Sequence, residues 1–157
     1  MKIIADNKKA FYEFFIDDKF EAGIELFGWE VKSARDGSVN LADSYVTLKS
    51  EGADKVQAFL VGAHFSQYKF GNMTEQDPTR TRRLLLNRSE INKIHTAVKA
   101  KGQTCVATKI YFNDRGRVKL EIALARGKHT YDKKAALKER DIKRETDREQ
   151  RDLPNRH

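Results

Sequence analysis

Residues 104–125 read TCVATKIYFNDRGRVKLEIALA, the clearest strand signal in the chain. Apolar and polar side chains alternate on both sides of residues 113–116, an Asn-Asp-Arg-Gly run typical of a tight turn. The pattern predicts two antiparallel strands, Thr104–Phe112 and Val118–Ala125. Because successive side chains in a strand point to opposite faces, each strand is expected to bury one face and expose the other.

Further strands are predicted on the N-terminal side of this hairpin. Runs rich in β-branched and aromatic residues occur in four segments: Phe11–Phe20 with its continuation to Leu26, Tyr45–Leu48, Val56–Val61 and Arg82–Leu86. The segment between residues 68 and 80 is predicted to be a loop, because it contains two turn-forming residues and a proline: Gly71, Asn72 and Pro78.

Two helices are predicted between these strands. One is short and covers Trp29–Arg35. The other begins after the capping sequence Asn87-Arg88-Ser89-Glu90 and ends at Gly102. Short antiparallel strands with a helix at one end are typical of a small OB-type barrel. We therefore expect a mainly β fold over residues 1–125, an antiparallel barrel with two or three short helices.

Residues 126–157 differ in composition from the rest. They hold 11 Lys and Arg and 7 Asp and Glu among 32 residues, with few apolar side chains. Burial of these few apolar side chains cannot offset the conformational entropy that is lost when the segment is ordered. We therefore expect a basic C-terminal tail that is disordered when free. Good helix formers dominate it, so a polyanion could induce a helix there. A merely solubilising tail is the alternative.

The whole chain of 157 residues has a net charge of +8 and a pI of about 9.6, which indicates a polyanionic partner. No apolar run approaches the ~18 residues that a membrane helix needs. The N-terminal residues lack the apolar segment of a secretory signal, so we expect a cytoplasmic protein with no membrane contact. Cys105 is the sole cysteine, so an intramolecular disulfide and a cysteine-cluster zinc site are excluded.

Catalytic motifs are weak in this sequence. Gly127-Lys128 fails the P-loop pattern, because neither the earlier Gly nor the following Ser or Thr is present. The histidines share no metal-ligand spacing. Asp17, Asp18 and Glu21 cluster carboxylates, but neighbouring positions of a strand point to opposite faces and would not converge on a cation. We therefore expect no enzyme activity, no cofactor and no metal site.

Basic residues near aromatic ones are more informative, because arginine binds phosphate in a bidentate manner and stacks on bases. One group is Arg80, Arg82 and Arg83, and alternation places the first two on one face. A second group lies along the last hairpin and immediately after it: Lys109, Arg115, Arg117, Lys119, Arg126 and Lys128. Beside exposed aromatics such as Phe11, Tyr12 or Tyr111, these groups indicate RNA or DNA binding. Core aromatics and ordinary surface charges are the alternative.

Six blocks of sequence, in order between about residues 7 and 140, resemble the SsrA-binding protein family, also called small protein B. The blocks are 21-EAGI-24, 28-GWEVKS-33, 43-DSYV-46, 77-DPTRTRRLLLN-87, 109-KIYF-112, and 125-ARGK-128 followed by 132-DKK-134. The resemblance implies a bacterial cytoplasmic OB-fold adaptor, monomeric when free, that binds the tRNA-like domain of transfer-messenger RNA. It also implies delivery of that RNA to stalled ribosomes for trans-translation, with the basic tail entering the empty mRNA channel.

The resemblance assigns residues to these roles. It places Glu21, Leu85 and Lys119 at positions tied to RNA contact. Together with the basic groups above, the predicted RNA-binding set also includes Lys32, Arg80, Arg82, Arg83, Arg126 and Lys128. Glu21 could accept a hydrogen bond from a base edge or hold a neighbouring cation, and the sequence leaves both open.

Four further residues are tied by the resemblance to the ribosome. Asp132, Lys133 and Lys134 match a tail motif needed after docking. Tyr12 stands where many relatives carry His near the decoding centre; it keeps a stacking face and lacks the titratable cation. Two other classes stay open: a structural ribosomal or general single-strand-binding OB-fold protein, and a metal-dependent nuclease using the carboxylates named above.

Overall fold

The computed structural model describes residues 1–50 and 55–128; the expected tail beyond residue 128, with Asp132, Lys133 and Lys134, lies outside the described residues. Its helices and strands follow in chain order: β1 (Lys2–Asp6), α1 (Lys8–Glu13), β2 (Phe14–Ile24), α2 (Gly28–Arg35), β3 (Val39–Asn40), β4 (Tyr45–Ser50), β5 (Val56–Val61), β6 (His64–Phe65), a 3-10 turn (Met73–Glu75), β7 (Arg82–Leu85), α3 (Arg88–Lys101), β8 (Thr104–Phe112) and β9 (Val118–Gly127).

Seven of these strands form one antiparallel sheet in the order β1-β8-β9-β2-β7-β5-β4, and β3 pairs with β6 in a small second sheet. The large sheet curls, so that β4 at one edge lies against β8 near the other edge. The mainly β, OB-type fold with three short helices confirms the architecture expected from the sequence. The 104–125 hairpin is present, and Asn113 Oδ1 accepts hydrogen bonds from the backbone N–H groups of Arg115 and Arg117 at its turn.

The core lies inside the curl. Apolar side chains from β5, β7, β8 and β9 fill it, and α3 closes it with one apolar stripe; the fully buried members of the core include Leu60, Leu84, Ile94, Ile110, Leu120 and Ile122. Helix α3 begins at the predicted capping box, in which the Asn87 side chain accepts from the Glu90 N–H. It ends at Gly102, whose φ of 65° is the left-handed conformation that favours glycine.

The N-terminal region differs from the expectation. Residues 11–13 belong to α1, so the predicted strand from Phe11 was wrong at its start, and β1 was not predicted at all. The cause is Asn7, which is buried. Its Oδ1 accepts from the Ala10 N–H and starts the helix, while its Nδ2 donates to the carbonyls of Leu41 and Ala107.

The C-terminal end of the sheet is also slightly longer than expected. Strand β9 continues through Gly127, two residues past the predicted end at Ala125. Its last residues pair with the first residues of β2, Phe14 and Phe15. No helix among the described residues is long and apolar enough to cross a membrane.

We predict that Asn7→Ala lowers the free energy of unfolding by about 3 kcal/mol, because it removes a helix cap together with the buried side-chain hydrogen bonds to the carbonyls of Leu41 and Ala107. Urea denaturation followed by circular dichroism measures this. Asn87→Ala is the matched control, since that cap is exposed and should cost only ~1 kcal/mol. Equal losses in both variants would contradict a bracing role for Asn7.

Candidate nucleic-acid interface

The strand register assembles a row of side chains on the outside of the sheet. Tyr111 of β8 lies opposite Lys119 of β9, Lys119 lies opposite Gly23 of β2, and Gly23 lies opposite Leu85 of β7. Glu21 is two residues before Gly23 and therefore shares its face. The predicted residues Glu21, Leu85 and Lys119 are thus brought together from three adjacent strands.

We call this surface the outer face and define it by Glu21, Gly23, Arg83, Leu85 and Lys119. Its residues alternate along each strand with side chains that point into the core: Ala22, Leu84 and Leu120. In β7 the alternation is strict, with buried residues at the first and third positions and exposed ones at the second and fourth. Leu85 is consequently 48% exposed although it is an aliphatic residue within a strand.

Gly23 keeps a groove open beside Leu85. A Cβ added at Gly23 would lie 3.2 Å from the Leu85 Cβ, so any side chain there would push Leu85 aside. The groove has a volume of about 320 Å³. Its walls are apolar and its rim is cationic; the lining includes Ile24, Leu26, Val31, Leu85, Arg117 and Lys119. An apolar floor with cations at its edge suits a nucleotide, which carries a flat base and a charged phosphate.

The Glu21 carboxylate lies within an acidic pair that is only half neutralised. Glu21 is directly opposite Glu121 of β9. Glu121 accepts a hydrogen bond from Thr108 Oγ1 at 2.6 Å and has the ammonium groups of Lys19 and Lys109 within 4.0 Å. None of the ion pairs among residues 1–50 and 55–128 involves Glu21. This arrangement favours the base-edge interpretation of Glu21 over the alternative that it holds a cation.

Tyr111 orients Glu21. Its hydroxyl donates a hydrogen bond to Glu21 Oε2. Burial raises the pKa of Tyr111, and the bond to the anionic Glu21 raises it further. Of the two interpretations that the sequence left open for Tyr111, an exposed stacking aromatic or a core aromatic, the structure supports the second, because Tyr111 is only 6% exposed. One Glu21 oxygen is thereby fixed, and the carboxylate retains lone pairs for donors of a ligand.

Arg82 is the clearest correction to the predicted site. Its side chain is 0% exposed and Glu30, in α2, is equally buried. Arg82 Nε donates to Glu30 Oε2 at 2.6 Å, and its other nitrogens donate to the carbonyls of Ala63, Pro78 and Arg80. Burial lowers the pKa of Arg82 while Glu30 opposes that shift. All three guanidinium nitrogens therefore donate hydrogen bonds within the protein, and the group has no accessible surface for RNA.

Arg80 binds the same carboxylate as Arg82, an internal contact that the predicted phosphate-binding role did not include. Its NH2 group donates to Glu30 Oε1 at 2.6 Å, and its guanidinium lies 4.2 Å from the ring centroid of the exposed Phe27. Arg80 therefore remains partly accessible. Arg83 points the other way, onto the outer face, where it donates to Gln57 Oε1 at 3.2 Å and has Glu25 4.0 Å away.

Arg126, Lys128 and Tyr12 lie in a second cluster at the start of β2, not on the outer face. Arg126 is opposite Phe15 and its Nε donates to Asp17 at 2.9 Å. This bond lowers the pKa of Asp17 and raises that of Arg126. Lys128 lies 5.1 Å from the Phe15 ring centroid and donates to the Phe11 carbonyl. Tyr12 and Phe15 are both exposed.

The carboxylates weighed for a nuclease are separated by the structure. A register shift between Ile16 and Lys19 displaces Asp17 and Asp18 from the ladder of β2. Asp17 is bound to Arg126 and to Gln103 Nε2, whereas Glu21 is on the outer face. In the part of the chain that the structure describes, no three His, Cys, Asp or Glu residues group closely enough to hold a metal ion.

Two residues make contacts for which the sequence carried no signal. Glu30 stood out only as part of a family block, yet it holds both arginines; a carboxylate three residues into a helix is ordinarily exposed, so its burial could not be foreseen. Lys32 was predicted to bind RNA. It lies in α2 with its ammonium group 5.0 Å from the centroid of the Tyr68 ring, and that ring contact was not anticipated.

Comparison with known proteins agrees with this geometry. The SmpB protein family profile matches residues 4–152. The chain is 46% identical over 149 residues to the SsrA-binding protein of Caldanaerobacter subterraneus, covering 95% of this chain and 90% of that protein. It is 48% identical over 144 residues to the SsrA-binding protein of Thermosipho melanesiensis, covering 92% and 95%.

A solved structure is also similar to this chain. It is described as "tmRNA-SmpB: a journey to the center of the bacterial ribosome", with a TM-score of 0.65 and 37% identity over 85% of this chain and 93% of that one. The fold and outer face define a small OB-type β protein with a mixed cationic and apolar surface. The chain belongs to the SmpB family of SsrA-binding proteins.

We predict that Arg82→Met lowers the free energy of unfolding by about 3–5 kcal/mol, because it leaves the buried Glu30 carboxylate short of a partner. Arg83→Met is the matched control: it is the adjacent arginine on the exposed side of the same strand, and should cost within ~0.5 kcal/mol. Urea denaturation compares them. A stable Arg82→Met protein with weakened RNA binding would mean that Arg82 faces the RNA after all.

A second prediction concerns Tyr111. Because the Glu21 carboxylate favours the protonated phenol, Glu21→Ala should lower the pKa of Tyr111, leaving it above the ordinary value of 10.0 by the effect of burial. NMR titration of ring-labelled tyrosine measures it. Glu25→Ala, a carboxylate paired with Arg83, should leave the titration unchanged. Since the folded pKa exceeds the unfolded one, this group's stabilisation is present below about pH 10 and is lost as the pH rises further.

Proposed function

We propose that the outer face binds the tRNA-like domain of transfer-messenger RNA, and that the protein is an RNA-binding adaptor delivering this RNA to stalled ribosomes for trans-translation. The observation that carries the proposal is the convergence of Glu21, Leu85 and Lys119 on one face of three adjacent strands. Membership of the SsrA-binding protein family and the similarity to the tmRNA-SmpB structure support it. The protein acts in the bacterial cytoplasm, where ribosomes stall.

Each group on the outer face has a separate task. Lys119 and Arg83 neutralise phosphates, which supplies most of the affinity and makes it depend on salt. Leu85 and the groove beside Gly23 take the apolar side of a ribose or base. Glu21 accepts a hydrogen bond from an amino or imino group of an unpaired base, held in place by Tyr111. The carboxylate contributes selectivity, because it repels phosphate and forms a hydrogen bond only with a correctly placed base.

The remaining predicted residues serve other parts of the same task. Lys32 and Arg80 extend the RNA surface along α2. Tyr12, with Arg126 and Lys128, faces the ribosomal decoding centre. The basic segment beyond residue 128, with Asp132, Lys133 and Lys134, enters the mRNA channel after docking. Residues 1–125 are then the RNA-binding unit, and the protein acts by binding and positioning, as a monomer when free and without covalent chemistry or a cofactor.

A general single-strand-binding or structural ribosomal OB-fold protein is the alternative. Such proteins use exposed aromatic side chains along a cationic groove and tolerate any sequence. The aromatic beside the outer face, Tyr111, is instead buried and hydrogen-bonded to the Glu21 carboxylate. That favours recognition of a particular folded RNA over sequence-tolerant stacking.

Fluorescence anisotropy tests the proposal by comparing the tRNA-like domain with a linear RNA of equal length. The folded RNA should bind more tightly at physiological salt. Lys119→Met should reduce the magnitude of the slope of log K against log salt by about 0.9 for each phosphate that the variant no longer neutralises. Lys99→Met is the control, since Lys99 lies beside β4 and β5. Equal competition by the linear RNA would favour the general single-strand-binding protein.

A further inference from the structure

The loop between β6 and β7 exposes large apolar side chains away from the outer face. We call residues 67–76 the aromatic loop. Phe70 at its tip is 74% exposed, more than any other large apolar residue of the described chain, and Met73 is exposed as well. Large apolar side chains exposed together on one loop, as Phe70 and Met73 are, mark a candidate contact surface.

The aromatic loop is braced internally, so Phe70 is held outwards. Gln76 is buried; its Oε1 accepts from the Tyr68 N–H at 2.6 Å and its Nε2 donates to the Tyr68 carbonyl at 3.2 Å. Gln67 Nε2 donates to the carbonyls of Met73 and Gln76, both at 2.9 Å. A Cβ at Gly71 would lie 2.7 Å from Gln76 Nε2, so a side chain there would displace the bracing amide.

Cations accompany the rings of Tyr68, which is half-buried, and Phe70, which is exposed. Tyr68 and Phe70 meet edge to face, with ring centroids 5.5 Å apart. The Lys69 ammonium lies 5.1 Å from the Phe70 centroid, and the Lys32 ammonium lies 5.0 Å from the Tyr68 centroid. The exposed Phe70 ring with two ammonium groups nearby is complementary to a nucleotide, whose base stacks on a ring while its phosphate meets a cation. An apolar protein partner would leave both cations uncompensated.

Helix α2 connects the aromatic loop to the outer face. Val31 lines the groove together with Leu85 and Lys119, and the next residue, Lys32, contacts Tyr68. The groove and the aromatic loop therefore lie on two sides of one helix, whose diameter with side chains is about 10 Å. An RNA bound on the outer face would reach the aromatic loop within a few nucleotides.

We propose that the aromatic loop is a second contact site for transfer-messenger RNA, in which Phe70 stacks on an unpaired base and Lys32 and Lys69 meet the flanking phosphates. The inference rests on the proposed function, because it takes the outer face as the first contact. The two sites together bind a folded RNA at two separated points, which a short linear strand satisfies less well.

Substitution at Phe70 tests this. Phe70→Ala should weaken binding of the full chain to the tRNA-like domain by about tenfold without changing the salt slope, since only stacking is removed. Phe70→Trp should retain the affinity, and the indole that it introduces should be quenched when RNA binds. Lys69→Met should lower the salt slope. Tyr45→Ala, another exposed aromatic on the edge strand β4, is the control and should leave affinity unchanged.

The outcomes separate the two proposals. If the wild-type chain prefers the tRNA-like domain but Phe70→Ala binds it equally well, the inference is overturned while the proposed function stands. Weakened binding to ribosomes alone would also overturn it, and would assign the aromatic loop to a ribosomal surface. If the wild-type chain shows no preference for the folded RNA, the proposed function fails and the assignment of the aromatic loop to transfer-messenger RNA falls with it.

Discussion

The buried carboxylate of Glu30 is the constraint on which the rest of the structure depends. A carboxylate without access to water is tolerated only where charge and hydrogen bonds compensate it, and Arg80 and Arg82 supply both. Arg82 also lies 4.1 Å from the Phe65 ring centroid and binds three carbonyls. One ionic cluster thus joins α2, β6, β7 and the chain before β7, and fixes α2 against the sheet.

The functional surface follows from that cluster through strand alternation. Once Arg82 points inwards, Arg83 must point outwards, and Leu84 and Leu85 follow in the same alternation. The exposed leucine beside the groove is therefore set by the buried arginine three positions earlier. The same cluster uses two of the basic residues, Arg80 and Arg82, to neutralise an internal carboxylate. Basic residues on the outer face, such as Arg83 and Lys119, remain available to a polyanion.

The sequence predicted the elements in which local chemistry agrees with the final packing. The 104–125 hairpin and the helix after Asn87 have strong alternation, a tight turn and a complete capping box, so their positions needed no tertiary information. The resemblance assigned Glu21, Leu85 and Lys119 to RNA contact, whereas their common face depends on the register between three strands.

The predictions that were wrong concern residues whose structure depends on contacts distant in sequence. Asn7 starts α1 because it reaches Leu41 and Ala107, and no local pattern encodes that contact. Arginine and tyrosine are common on protein surfaces, so the sequence did not indicate that Arg82 and Tyr111 are buried. Their contacts with Glu30 and Glu21 become visible only in the folded chain. Arginine-rich and aromatic runs indicate a polyanion-binding protein, but they do not tell which members of a run turn inwards.

The attachment of the end of β9 to α1 has a mechanical consequence. The Lys128 N–H donates to the Glu13 carbonyl at 3.0 Å, and its ammonium group donates to the Phe11 carbonyl at 3.3 Å. These two carbonyls flank Tyr12 in the chain. A partner that binds the Tyr12 ring is therefore coupled to Lys128, the last residue that the structure describes, because the backbone on both sides of Tyr12 accepts hydrogen bonds from that lysine.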